Sequence, residues 1–174
     1  MEYARDLDWR QPPVLYFAYG FNLDPERMLG QSPDHRVVGL AALRDHRLLF
    51  PRHSENWGGG TASLGHAHGQ TVWGMLYEVS DRDLEALDRQ EGFRAAGDQH
   101  NLYDREWLTV ELTRADDGSV PRRVRAQAYL ARPSNPSRPS RRYLDTILRG
   151  AKHHRLPDEY VDQLAAVETV PDEA

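Results

Sequence analysis

A chain of 174 residues with 39% apolar content is long enough to bury one core and short for two, so a single domain is expected. Its 22 basic and 27 acidic residues leave a net charge of −5, which excludes an overall electrostatic footprint for nucleic acid or for an anionic membrane surface. Cysteine is absent, which removes disulfides, thiolate catalysis and Cys-ligated zinc.

Residues 1–13, ending in Gln11-Pro12-Pro13, read as an irregular lead-in, and residues 14–170 as the domain. The lead-in carries no apolar h-region, and no later stretch approaches the ~18 apolar residues of a membrane span, so a cytoplasmic protein is expected. Leu15-Tyr16-Phe17-Ala18-Tyr19 is an apolar, aromatic run suited to a buried strand; it breaks off at Gly20, and the polar Asn22 follows. Gly20 is free to take positive φ or to admit a ligand close to the backbone, and Asn22 tolerates the left-handed region. Consecutive N–H groups in such a turn form a concavity for an anion or a developing oxyanion. Asp24 as N-cap and Pro25 at the first position then open a short helix.

Arg36–Leu43 and His46–Phe50 read as two strands of a hairpin turning at Arg44-Asp45. Asn56-Trp57-Gly58-Gly59-Gly60 is a glycine-rich turn feeding another strand; with no lysine and hydroxyl behind it, a pocket wall is a better reading than a phosphate loop. His66 and His68 have the i, i+2 spacing of some metal sites, but Gly65 and Gly69 flank them, and a solvated loop is the preferred reading. Thr71–Val79 is the strongest strand signal, nearly continuous and so buried on both faces.

Ser80 and Asp83 make a capping pair for a helix with Leu84 and Leu87 on its apolar face and Gly92 as its stop. That places Glu91 at the negative end of the helix dipole, near Leu87 and Phe93. Dipole and desolvation both act to raise its pKa from about 4.3 toward that of a working base. From these residues alone an ordinary exposed glutamate is the simpler alternative. The polar loop 93–102 is a candidate lid. Leu102–Leu112 and Arg123–Leu130 form strands about the Asp116-Asp117-Gly118 turn, and Tyr103 opens the first of them. Arg132–Arg142, rich in proline, serine and arginine, reads as a solvated linker. A helix from Ser140 or Arg141 and a last one after Pro157 cover the sheet. Strands through residue 130 and helices after it argue an α+β fold in one layered domain.

The stretch Tyr16-Phe17-Ala18-Tyr19-Gly20-Phe21-Asn22-Leu23 resembles the YFAYGSNL signature of the γ-glutamylcyclotransferase family, which includes the AIG2-like proteins; Phe21 stands where the signature has serine. Asp88-Arg89-Gln90-Glu91-Gly92 resembles that family's D-x-x-E-G segment, and Tyr143 through Gly150-Ala151 to Leu156-Pro157-Asp158-Glu159-Tyr160 its C-terminal pattern, so the likeness spans roughly residues 15 to 168. The resemblance implies a single-domain, small mixed β-barrel flanked by helices. It implies Glu91 as catalytic acid/base, and Tyr16, Phe17, Ala18, Tyr19, Gly20, Phe21, Asn22 and Tyr103 as substrate-binding residues. The implied reaction is cofactor-independent and needs no metal: a γ-glutamyl amide cyclises to 5-oxoproline and releases an amine or amino acid. A small-molecule γ-glutamyl substrate is the expected partner, with nucleic acid and membrane excluded and a homodimer left open. The alternative is a non-catalytic AIG2-like module of the same fold that holds a small molecule or a protein.

Overall fold

The computed structural model describes residues 12–119 and 121–171, so all but the end of the expected lead-in lies outside the described residues. The aromatic run forms strand β1 (Val14–Ala18), antiparallel to β3 (Gly59–Val79), with Tyr16 opposite Tyr77. On its other side β1 runs parallel to β5 (Arg122–Ala131), where Tyr16 faces Gln127. With β2 (Arg36–Ser54) and β4 (Tyr103–Ala115) the order β1-β3-β2-β4-β5 closes a barrel, mixed because of its single parallel pairing. Closure pairs each strand on both sides within the barrel itself. The architecture is the α+β barrel with outer helices that the resemblance implies.

Two expectations along β2 and β3 are corrected. Arg44-Asp45 is not a turn: β2 continues through it, and Asp45 sits at φ 58 in a register shift between Arg44 and His46. The glycine-flanked histidine segment is likewise strand, with His66 paired to His46. Past Ala42, β2 leaves β4 and continues with β3 as a ribbon, where polar residues face water on a ladder that register shifts interrupt but do not end. Their polarity marks exposure there, and aspartate tolerates the left-handed bulge position. The true hairpin turn is the glycine-rich one, at residues 55–58.

The linker is also more ordered than its composition suggests. His53 N–H donates to Ser134 O at 3.0 Å and Gly60 N–H to Arg138 O at 2.9 Å, so one edge of the segment is tied to the ribbon. A Cβ at Gly60 would stand 2.0 Å from the Ser137 carbonyl oxygen, which is why glycine is needed here.

Each helix starts where its cap predicts. Asp24 caps α1 (Pro25–Gln31), its carboxylate accepting from Glu26 N–H at 2.9 Å. Ser80 Oγ accepts from Asp83 N–H at 3.1 Å to open α2 (Asp81–Glu91), which Gly92 ends at φ 65. Ser140 caps α3 (Arg141–His153), and Pro157 precedes α4 (Asp158–Ala165). Tyr143, Leu144, Ile147 and Ala151 of α3 are buried, and a leucine or isoleucine side chain stabilises by about 1.5–3 kcal/mol when fully buried. This packing brings α3 onto the turn after β1. Gly150 permits it: an added Cβ would lie 2.2 Å from the Leu23 carbonyl carbon.

Candidate functional site

The chain leaves β1 through a single 3₁₀ turn, Phe21–Leu23, which sequence periodicity did not anticipate. Leu23 N–H bonds to Gly20 O at 3.0 Å and Asp24 N–H to Phe21 O at 3.1 Å, so the N–H groups of Gly20, Phe21 and Asn22 take no part in closing it. Asp24, almost fully buried, is clamped by Arg149 of α3 through Nε and Nη2, which locks the turn to that helix. Gly20 has φ −110, so positive φ is not its role. It lines a cavity, and a Cβ there would stand 3.6 Å from the Tyr143 hydroxyl.

That cavity, about 30 Å³, lies where β1, β3, β4, β5, α2 and α3 converge. Tyr16, Tyr19, Gly20, Phe21, Asn22, Glu91 and Tyr103 all line it, so the structure brings together seven of the nine expected site residues. Phe17 and Ala18 do not. The Phe17 ring packs over Gly74, and the Ala18 carbonyl abuts the same glycine. Side chains alternate across a strand, so a motif of consecutive residues cannot all face one cavity. Ala62, Tyr129 and Tyr143 complete the lining; none carries a local signal, because they arrive from β3, β5 and α3.

The tyrosines form a tethered wall. Asn22 Nδ2 donates to Tyr16 Oη at 3.0 Å, and Tyr143 Oη accepts from Ala62 N–H at 2.9 Å. The Tyr103 hydroxyl and Thr61 Oγ1 are 2.5 Å apart, and Tyr19 donates to the Tyr129 carbonyl. Burial holds the phenols of Tyr16, Tyr19, Tyr103 and Tyr143 well above their usual pKa, and Glu91 adds to this, so they remain neutral. Asn22 Oδ1 is buried with no partner among the described residues. An acceptor left this way favours a ligand that brings a donor.

Glu91 is 9% exposed, and desolvation pushes its carboxyl up to about 8. Among the described residues no group donates a hydrogen bond to it. Its helix is fixed one turn earlier by Asp88, which accepts from Tyr129 Oη at 2.7 Å and from Arg105 Nη1 at 2.6 Å. Asp88 therefore ties α2 to β4 and β5 and sets where Glu91 enters the cavity.

Phe21, Glu91 and Tyr103 also line a second, larger cleft of about 510 Å³, and so form the neck between the two spaces. The Phe21 ring centroid lies 6.0 Å from that of Trp57 and 6.4 Å from that of Tyr143. Trp57 lines this cleft, as the pocket-wall reading of its segment expected. Of the candidate lid, Asn101 closes the loop on itself, accepting from Arg94 N–H and donating to Ala95 O, both at 2.8 Å; only Leu102 reaches the cleft. Among the described residues no group of three or more His, Asp or Glu side chains is arranged to hold a metal. The rings of His66 and His46 lie 4.5 Å apart, and His68 is fully exposed.

A closed barrel presenting one buried carboxyl of raised pKa in a tyrosine-lined cavity is a candidate small-molecule site. The AIG2-like family model matches residues 71–164. Human γ-glutamylcyclotransferase is 32% identical over 158 residues, covering 88% of this chain and 78% of that protein, and the bovine protein is 31% identical with the same coverage. A solved structure reported as γ-glutamyl cyclotransferase superposes with a TM-score of 0.79 at 29% identity, covering 94% of this chain and 92% of that one. A human structure described as an uncharacterized protein reaches a TM-score of 0.79 at 30% identity, covering 94% and 93%. The chain belongs to the γ-glutamylcyclotransferase family, among its AIG2-like members. No helix among the described residues is long and apolar enough to cross a membrane.

Proposed function

We propose that this chain cyclises γ-glutamyl amides to 5-oxoproline and releases the attached amine or amino acid. The substrate supplies its own nucleophile: the α-amino nitrogen bonds to the γ-carbonyl carbon, and the bond from that carbon to the departing nitrogen breaks. Two protons leave the α-nitrogen and two join the departing nitrogen, so the reaction is balanced without a co-reactant. Because attack is intramolecular, the protein has only to fold the substrate, move protons and steady the oxyanion.

In this reading Glu91 takes a proton from the α-ammonium and returns one to the leaving nitrogen. The N–H groups of Gly20, Phe21 and Asn22 receive the glutamyl carboxylate or the oxyanion, and the orphaned Asn22 Oδ1 accepts from the ammonium. Tyr16, Tyr19 and Tyr103 shape the space around the glutamyl group. The observation that carries the proposal is Glu91 itself, buried at the neck with its carboxyl pushed up to about 8, where a proton carrier works best near neutral pH.

The test is 5-oxoproline release from a panel of γ-glutamyl amino acids and γ-glutamyl amines, comparing wild type with Glu91→Gln. Turnover by wild type that disappears in the variant supports both the reaction and the base. No product from any panel member, with the ligands still binding, would overturn it in favour of a binding module.

A further inference from the structure

The outer cleft is charged against the grain of the protein. In a chain of net charge −5, Arg27 of α1, Arg52 of β2 and Arg142 of α3 line one space beside Glu91. Among the described residues none of the three has a carboxylate within ion-pair distance. The nearby acid Glu55 lies 3.5 Å from His53 Nε2 instead. The guanidinium carbons of Arg27 and Arg142 each lie 5.0 Å from the Trp57 ring centroid. Arg142 also donates to Asn56 O, and Arg52 Nη1 to Arg132 O at 3.1 Å. A guanidinium resting on an aromatic face is oriented while its N–H edge stays free for a planar anion.

Three like charges in one cleft repel, and a bound anion offsets that repulsion. The volume is that of a ligand site: about 510 Å³ falls inside the roughly 300–1,000 Å³ typical of small-molecule pockets. Glu91 at the neck sets the direction. If the reacting carbonyl sits there with the glutamyl group turned inward, the departing group extends into the arginine cleft.

We propose that the preferred substrates carry a polyanionic leaving group, an acidic amino acid or short acidic peptide whose carboxylates engage Arg27, Arg52 and Arg142. This rests on the cyclisation reading of the site.

A matched pair tests it: γ-glutamylglutamate and γ-glutamylglutamine differ by one charge and hardly in shape. For wild type, kcat/KM for 5-oxoproline release is expected to favour the glutamate compound by about tenfold at low salt. The ratio should fall toward one in 0.5 M NaCl and in the Arg27→Gln/Arg52→Gln/Arg142→Gln variant. As a ratio within each protein, it is insensitive to how much of a variant is folded. Arg125→Gln, which removes an Arg–Trp pair from the β4–β5 surface, should leave the ratio as in wild type. The same two compounds titrated calorimetrically into Glu91→Gln protein give an affinity ratio whether or not the chemistry occurs, so failure of the reaction and failure of the cleft assignment are distinguishable. Equal affinities for the pair, or a preference that survives loss of the three arginines, would overturn the assignment.

Discussion

The inner cavity and the outer cleft share Glu91, and they are built by opposite means. Around the inner cavity Tyr16, Tyr19, Tyr129 and Tyr143 are all at most 6% exposed, and hydrogen bonds to backbone or neighbouring side chains hold their hydroxyls. The outer cleft is walled by exposed or half-buried arginines around one tryptophan. On the proposed reading, the difference separates two tasks. Proton transfer needs low dielectric and fixed geometry, which only a rigid, neutral wall supplies. Selection among leaving groups needs charge that reaches solvent and meets an arriving anion.

The largest effect should come from Glu91, one of the three residues common to both. Glu91→Gln keeps shape and removes the proton carrier, so kcat is expected to fall by about 10²–10⁴, the range for a general acid–base group, with substrate affinity retained. A change confined to KM, with kcat unchanged, would show that Glu91 serves the outer cleft's task.

Next is the turn that supports the inner wall. Gly150→Ala drives a methyl to about 2.2 Å from the Leu23 carbonyl carbon, so α3 or the turn must shift. Overpacking of this kind costs about 1–3 kcal/mol, and the melting temperature should fall by about 2–4 °C per kcal/mol for a chain of this size. Turnover should drop more than that loss accounts for, because the N–H groups at Gly20–Asn22 move with the turn. Lower stability with unchanged kcat would detach the turn from the chemistry.

Acid–base behaviour gives the third contrast. With the folded carboxyl of Glu91 raised from its ordinary 4.5 to about 8, the folded state holds a proton that the unfolded chain has already released. Its contribution is therefore complete below about 4.5 and is lost as pH rises toward 8, at about 1.4 kcal/mol per pH unit. Denaturation of wild type across this window should show the decline and Glu91→Gln should not. In turnover, kcat/KM should rise with an acid limb near pH 8. The limb in kcat should fall at lower pH, because the bound ammonium favours the charged carboxylate.

The inner site was far more legible in the sequence than the outer one. The break at Gly20, the Asp24 and Ser80 caps and the stop at Gly92 are local signals, each decided by residues within a few positions, and they place Glu91 at its helix end. What was hidden is what only closure assembles. Tyr129 and Tyr143 read as ordinary strand and helix core until the barrel brings their rings to one cavity. Arg27, Arg52 and Arg142 lie on three distant segments, and no spacing rule joins them. Arg44-Asp45 misled because polarity in a solvated ribbon looks like polarity in a turn.

The smallest expected effect probes the neck. Phe21 is half-buried between Trp57 and Tyr143, on the boundary of the two spaces. Phe21→Ser removes the ring and keeps the backbone N–H, so the transition-state contacts assigned to the turn survive. For a small γ-glutamyl amino acid, kcat should change by no more than about threefold, or ~0.7 kcal/mol. KM for bulkier leaving groups should fall, since the aperture they cross is wider. The preference for γ-glutamylglutamate over γ-glutamylglutamine should persist, because the arginines are untouched. A large loss of kcat would instead make the ring part of the inner wall, a closure element that keeps water from the reacting carbonyl, and the boundary between chemistry and selection would then lie outside Phe21, at Trp57.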